Sequence, residues 1–380
     1  MSDTSSAIEF IRDLFKTREF IPLHEPRFRG NEKAYVMDTI DSTFVSSVGA
    51  YVNRFEEMIA TLSRTKKGIA VVNGTSALQV ALRLAGVQPG DEVLTQSLTF
   101  VATANSIVHN HAHPVFIDVD YDTMGLSPSA LEKFLNEFGE LRSTGCFNKE
   151  SGRRISACLP MHTFGFPVHL DKLLEVCKKW NIPVVEDAAE SIGSTYRGEP
   201  TGSFGLLSVY SFNGNKIVTA GGGGAIVTND VQLGEKAKHL TTTAKRAHRY
   251  EFFHDDIGYN FRMPNLNAAL ICAQLEQLDY FIDQKRALAL QYQLHFAETG
   301  IQFRTELPNT RANYWLMTIE LENKQARDEF LDITNDAGVM TRPIWTLMHK
   351  LPMFSSSQRD DQHNAEQLEQ RIVNIPSSVI

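Results

Sequence analysis

Apolar positions at the start of the chain recur at helical spacing, with Ile8, Ile11 and Phe15 on one stripe, and predict a short amphipathic helix. It leads through Phe20 into Pro22-Leu-His-Glu-Pro26, where proline interrupts regular structure, so residues 1–20 read as an arm and not a domain. From Lys67 onward the pattern changes. Short apolar runs alternate with longer stretches of helical period, the sequence form of strands joined by helical crossovers in a parallel sheet. Residues 69–72 predict a strand and 76–85 the helix after it; 92–95 and 114–119 predict strands separated by a helix around 102–110. Residues 155–161, 170–180 and 184–187 predict a further β-α-β unit. The polar stretch 136–154 breaks the alternation, and Ser151-Gly152 between polar flanks predicts a hairpin or surface loop there. Beyond Arg249 long helices cover 266–300, and an α+β segment follows to Ile380. The expected architecture is a large, doubly wound, mostly parallel α/β domain over 21–248 with a smaller C-terminal α+β domain over 249–380.

Length agrees with two unequal domains, since 380 residues exceed the ~250 at which single cores stop growing. A hydrophobic share of 42% and a charged share of 22% are ordinary for a chain that folds in water. No apolar run approaches the ~20 residues that span a bilayer, and Met1-Ser-Asp-Thr-Ser-Ser6 lacks the basic and apolar stretches of a secretory signal. A cytoplasmic protein without a membrane partner is expected. Its net charge of −8 disfavours nucleic acid, whose phosphates need a basic footprint. Cys146, Cys158, Cys177 and Cys272 form no C-x-x-C pair, so they read as buried thiols and no metal site is expected.

Three stretches carry chemistry. Asn73-Gly-Thr-Ser-Ala-Leu78 lies between a strand and a helix, at the sheet edge where α/β ligands bind. Gly74 lets the backbone approach, and Thr75, Ser76 and the first helical N–H groups can hold a phosphate, although an ordinary capped helix start has the same form. Val184-Val-Glu-Asp-Ala-Ala-Glu190 ends a buried strand with Asp187, a carboxylate that needs a partner. A protonated pyridine nitrogen would be one; a helix cap is the plainer account. Ser208-Val-Tyr-Ser-Phe-Asn-Gly-Asn-Lys-Ile-Val-Thr-Ala-Gly-Gly-Gly-Gly-Ala225 brings a strand into Lys216 and then into glycines. A Schiff-base lysine belongs in such a close-packed place, the glycines leave room beside a flat ligand, and Ser211 adds a hydroxyl. Neither G-x-G-x-x-G opening a helix nor a P-loop is present.

With these residues in this order, the chain from about Ile21 to its end resembles the DegT/DnrJ/EryC1/StrS family of sugar aminotransferases, which use pyridoxal 5'-phosphate on fold type I. Phe20-Ile-Pro-Leu-His-Glu-Pro26, Phe44-Val-Ser-Ser-Val-Gly49 and Ser211-Phe-Asn-Gly-Asn-Lys216 most resemble its LegC group, which aminates a UDP-linked 4-keto-6-deoxy-N-acetylhexosamine. The resemblance implies that Lys216 bonds the cofactor and moves a proton, and that Asp187 partners the pyridine nitrogen. It further implies that Phe100 stacks on the ring, that Gly74, Thr75, Ser76 and Ser211 cradle the phosphate, and that Asn260 reaches the phosphate of a neighbouring subunit. A homodimer with shared sites follows from that last role.

Glu190 stands where many relatives have glutamine beside the ring hydroxyl, so either a shared proton or a different contact is expected. His162 resembles a strand-end histidine near the cofactor, with a structural histidine as the alternative. Lys245, Arg246, Arg262 and Arg342 are candidates for the pyrophosphate, and Trp345 and His349 for the sugar pocket, against surface or packing roles for each. The activity implied is transfer of an amino group from glutamate to the C4 keto group of a nucleotide-linked sugar, for surface polysaccharide or nonulosonic acid precursors. Related dehydratases have histidine at the lysine position, and Lys216 argues against that reaction. A non-catalytic sugar-nucleotide-binding protein would have no need of all the catalytic positions filled here.

Overall fold

A computed structural model describes residues 3–380. Helix α1 (Asp3–Phe15) buries Ile8 and Ile11, as its stripe predicts. It does not stand apart as an arm: Phe10 stacks on His295 with ring centroids 3.9 Å apart, and the Arg12 guanidinium donates to the Ala337 carbonyl. Helices α2 (Glu32–Asp41) and α3 (Ala50–Leu62) follow.

The large sheet starts with β1 (Lys67–Val71), which passes through α4 (Gly74–Leu84) to β2 (Glu92–Gln96), and then through α5 (Val101–Val108) to β3 (His113–Ile117). After α6 (Pro128–Phe138) come β4 (Gly139–Arg142), β5 (Gly145–Asn148) and β6 (Arg154–Leu159), an antiparallel run that is the hairpin expected within 136–154. Its second turn is closed by the Gly152 N–H on the Asn148 carbonyl, with Gly152 at φ 72 where side chains are strained. Helix α7 (Leu170–Lys179) leads to β7 (Val185–Asp187), and a short pair, β8 (Thr195–Tyr196) and β9 (Glu199–Pro200), precedes β10 (Leu207–Ser211) and β11 (Gly224–Thr228).

Strands β3, β2 and β6 are parallel neighbours; bridges Cys158 to Val184 and Met161 to Asp187 continue the sheet to β7, and β10 lies parallel beside it. Beyond the β4–β5 hairpin, the strand that breaks the parallel order is β11, which opposes both its neighbours, β10 and β1. It has to, because a loop and no crossover helix joins it to β10. Both faces of the sheet are buried. Val93 packs with Val71, Leu78 and Ile226 on one face, while Leu94, the next residue, packs with Ile117, Phe134 and Leu173 on the other. Each such side chain contributes roughly 1.5–3 kcal/mol on burial.

Helix α8 (Val231–Thr241), capped by the Asp230 carboxylate, covers the β1 edge; α9 (Asn265–Leu275) packs against α2 and α3. Asn265 joins these parts, accepting from the Val52 N–H and donating to the Phe44 carbonyl, and the Val72 N–H reaches the Phe261 carbonyl. The expected division at residue 248 thus falls inside a stretch that packs with the large sheet as far as α9. Helix α10 (Leu278–Phe296) then leads into a second, antiparallel sheet. Its strands β12 (Gln302–Phe303), β14 (Met317–Glu320), β16 (Ile372–Ile375) and β15 (Arg342–Pro343) lie in that spatial order, while β13 (Thr310–Arg311) pairs with β8. Helices α11 (Lys324–Asp336) and α12 (His363–Arg371) complete this part. Among the described residues no helix is long and apolar enough to cross a membrane.

Candidate active site

The ends of β1, β7 and β10 meet at one edge of the large sheet. After β1 the chain turns into α4 with Asn73 as its cap, the side chain accepting the Ser76 N–H at 2.8 Å. A Cβ on Gly74 would come within 3.0 Å of the Ser211 side chain, and one on Gly224 within 2.5 Å of the Asn73 backbone. Gly224 is therefore required by close approach of backbone and Gly74 is tightly packed, and the α4 N-terminus, Thr75 and the Ser211 hydroxyl converge beside them.

Asp187 ends β7 at 3% exposure. Its Oδ2 accepts from Thr103 Oγ1 at 2.8 Å and its Oδ1 from the Ala189 N–H at 3.1 Å. Burial pushes its carboxyl up, against these two bonds and the nearby Lys216 charge. Glu190, three residues on, accepts the Phe164 N–H at 2.9 Å on one oxygen and lies 3.3 Å from Lys216 Nζ with the other. Phe164 holds a left-handed φ of 56 to present that N–H, the kind of backbone cost that collects at sites. Burial, opposed by the Lys216 charge, raises Glu190 to about 7, which fits a carboxyl that shares a proton near neutrality.

The raised Glu190 has a thermodynamic consequence. An unfolded chain releases this proton from about 4.5 upward while the folded one keeps it to about 7, so the folded state binds more protons in that window and loses stability as pH rises through it. We expect Glu190→Gln to remove this loss, about 3 kcal/mol by pH 7.5, from cofactor-free protein. Denaturant titrations at pH 5 and 7.5 that show equal slopes of stability with pH in both proteins would contradict it.

Lys216 follows β10 on a turn closed by its own N–H on the Asn213 carbonyl at 3.0 Å. Its side chain is 12% exposed, and Nζ lies 3.8 Å from the centroid of the Trp315 ring. A cavity of about 440 Å³ opens between these groups. Gly74, Thr75, Phe100, Asp187, Glu190, Ser211, Lys216 and Trp345 all line it. Phe100 is half exposed, its ring centroid 6.3 Å from that of Trp345.

Other candidates lie elsewhere. The Ser76 N–H is taken by Asn73, and its side chain does not line the cavity. His162 is fully buried behind the strand end, its Nε2 3.1 Å from Glu186 and its Nδ1 accepting the Val168 N–H. Lys245, Arg246, Asn260 and Arg262 sit on the segment between α8 and α9; Lys245 covers Phe252, Arg246 pairs with Asp255, and Arg262 donates to Asn260. Arg342 and Trp345 line a second chamber of about 510 Å³, which shares Asn215, Trp315 and Trp345 with the first. His349 lines neither chamber; it is buried 3.6 Å from Glu366, on a 3-10 turn over Met348–Lys350 that carries it inward. Thr103 and Trp315 complete the site without having been expected. Thr103 had a local signal, one helical turn after Phe100; Trp315 had none.

Helices on both faces of a mostly parallel sheet, with a glycine-spaced helix N-terminus, a buried carboxylate and an enclosed lysine at its edge, define a pyridoxal-phosphate-dependent aminotransferase of fold type I. Residues 26–379 match the DegT/DnrJ/EryC1/StrS aminotransferase family, and the chain belongs to it. Among known relatives, the GDP-perosamine synthase of Escherichia coli O157:H7 is 36% identical over 360 residues, 94% of this chain and 93% of that one. The GDP-perosamine synthase of Caulobacter vibrioides is 35% identical, covering 94% and 93%. The crystal structure of the aminotransferase TlmJ from Streptoalloteichus hindustanus superposes with a TM-score of 0.85 at 25% identity, covering 94% and 93%. The protein is accordingly a sugar aminotransferase.

Proposed function

We propose that the enzyme moves an amino group from glutamate to the C4 keto group of a nucleotide-linked 4-keto-6-deoxy sugar, with a UDP-linked N-acetylhexosamine as substrate, in cytoplasmic synthesis of surface-polysaccharide precursors. The observation that carries this is the meeting of Lys216, Asp187 and the Gly74–Ser211 cradle in one cavity. Bound pyridoxal phosphate supplies an aldehyde that carries the amino group and a ring that takes up electrons. The α4 N-terminus, Thr75 and Ser211 hold its phosphate. Asp187 keeps the ring nitrogen charged, and Phe100 covers one ring face. Lys216 bonds the cofactor and moves the proton at its Nζ, with Glu190 close enough to share it.

The second chamber, lined by Arg342 and sharing Trp345 with the first, would take the sugar nucleotide. A GDP-linked 4-keto sugar is the second reading, favoured by the GDP-perosamine synthases among the relatives. Offering glutamate with a panel of UDP- and GDP-linked 4-keto-6-deoxy sugars tests both, with the aminated product read by mass spectrometry. Turnover of none would overturn the proposal.

The segment that carries Asn260, Lys245, Arg246 and Arg262 also exposes Tyr250, Phe252, Phe253 and Ile257, each more than half accessible. Apolar surface of this kind supports a homodimer in which the segment serves the neighbouring cavity. Sedimentation is expected to give a dimer. Fully active monomers would remove Asn260 from the phosphate site.

A further inference from the structure

Trp315 precedes β14 and lies outside every motif that carries the family resemblance. One face of its indole meets the Lys216 amine, with Nζ 3.8 Å from the ring centroid. The indole Nε1–H donates to the Asn215 carbonyl at 2.8 Å, so the same side chain also grips the peptide unit just before Lys216. The ring is in turn fixed from its own backbone. Its N–H donates to Asn313 Oδ1 at 2.9 Å, and the Asn313 amide donates to the carbonyls of Glu190 and Ile192, each at 2.9 Å. Its carbonyl accepts from Lys285 Nζ at 3.0 Å.

Lys285 makes this fixation unusual. It is fully buried, has no carboxylate partner among the described residues, and its other bond goes to the Ser377 carbonyl. Burial lowers its amine to about 7. A buried amine without an acid costs stability, and a methionine would fill the same space without that cost. What the amine does contribute is a hold on the Trp315 backbone.

We propose that Trp315 is a positioning residue for Lys216: its N–H fixes the backbone before the lysine, and its ring face holds the lysine nitrogen, when positively charged, beside Glu190. This rests on Lys216 being the residue that bonds the cofactor. An aromatic face attracts a cation through its quadrupole much more strongly than it attracts a neutral nitrogen. An aliphatic side chain of similar reach would exclude water equally but would not favour the charge. Removing the ring should therefore lower the pH at which the nitrogen gives up its proton.

The test is a pH titration of the visible absorption band of the holoenzyme in wild type, Trp315→Phe and Trp315→Leu. Trp315→Leu should lower the midpoint by about half a pH unit to one unit, whereas Trp315→Phe, which keeps a face, should stay nearer to wild type. A wild-type midpoint in Trp315→Leu, or equal shifts in both variants, would overturn the proposal. Should Trp315→Leu fail to fold, Lys285→Met is read in its place; a fall of a few tenths of a pH unit supports the proposal and an unmoved midpoint counts against it. Borohydride reduction followed by peptide mapping keeps the two ideas apart. A label on another lysine, or on none, defeats the assignment of Lys216 itself, while a label on Lys216 with unmoved titrations defeats only the role of Trp315.

Discussion

Lys216→Ala is expected to fold as wild type does and to lose more than ~10³-fold in turnover, because on the proposed assignment it removes both the bond to the cofactor and the proton carrier at the reacting carbon. Little else depends on this amine. It sits at a cavity wall and not in the core, and its partners are Glu190 and the Trp315 face. Melting should shift by a few degrees at most. Borohydride should no longer fix the cofactor to the chain, although the proposed phosphate contacts at Thr75 and Ser211 would still let it bind reversibly. The decisive measurement is single-turnover amination with glutamate, since a variant that completed it at the wild-type rate would place the chemistry on another residue.

Asp187→Asn is expected to cost about 10²–10³-fold in turnover, the range found when one fixed electrostatic partner of a developing charge is removed. The amide keeps the shape and can still bond Thr103 and the Ala189 N–H, so the structural role survives. What it cannot do is hold a positive ring nitrogen. Stability should move the other way. In cofactor-free protein the buried carboxylate has no cation as close as a pyridinium would be, and burial already works against its charge. Asn should therefore leave the cofactor-free protein at least as stable, while the stabilisation gained on adding cofactor shrinks. Equal stabilisation of both proteins by the cofactor would show that Asp187 does not face the ring.

The parts of the site written in contiguous residues were legible before any coordinates. The turn from β1 into α4 shows its cap and its glycine within Asn73 to Ser76, and the glycines after Lys216 mark a place without room for side chains. Asp187 stood out because an apolar strand rarely ends in a carboxylate without cause. The alternation of short apolar runs with stretches of helical period gave the order of strands and helices, but an apolar run reads the same in either direction, so it could not show that β11 opposes its neighbours. The same limit explains α9. It is apolar nearly all round, with Ala268, Ala269, Ile271, Cys272 and Ala273 buried, which signals burial without naming the partner. Trp315 reaches Lys216 across about a hundred positions of chain, and no local pattern encodes such a meeting. His349 misled for a related reason, since proximity to Trp345 in sequence does not fix which way the chain turns afterwards.

Glu186 and Asp187 are adjacent on β7 and so point to opposite faces of the sheet. Glu186 is completely enclosed and accepts from the N–H groups of Gly202, Phe204 and Gly205, from the Ser208 hydroxyl and against the His162 ring. Burial would push this carboxyl up, but the five donors outweigh it and hold it below the usual carboxylate range, and they lock the strand at one register relative to β10. A displacement of the strand by a single residue would exchange the saturated acid for the available one. The neighbour thus acts as a detent: it keeps Asp187 facing the cavity while itself lying outside it.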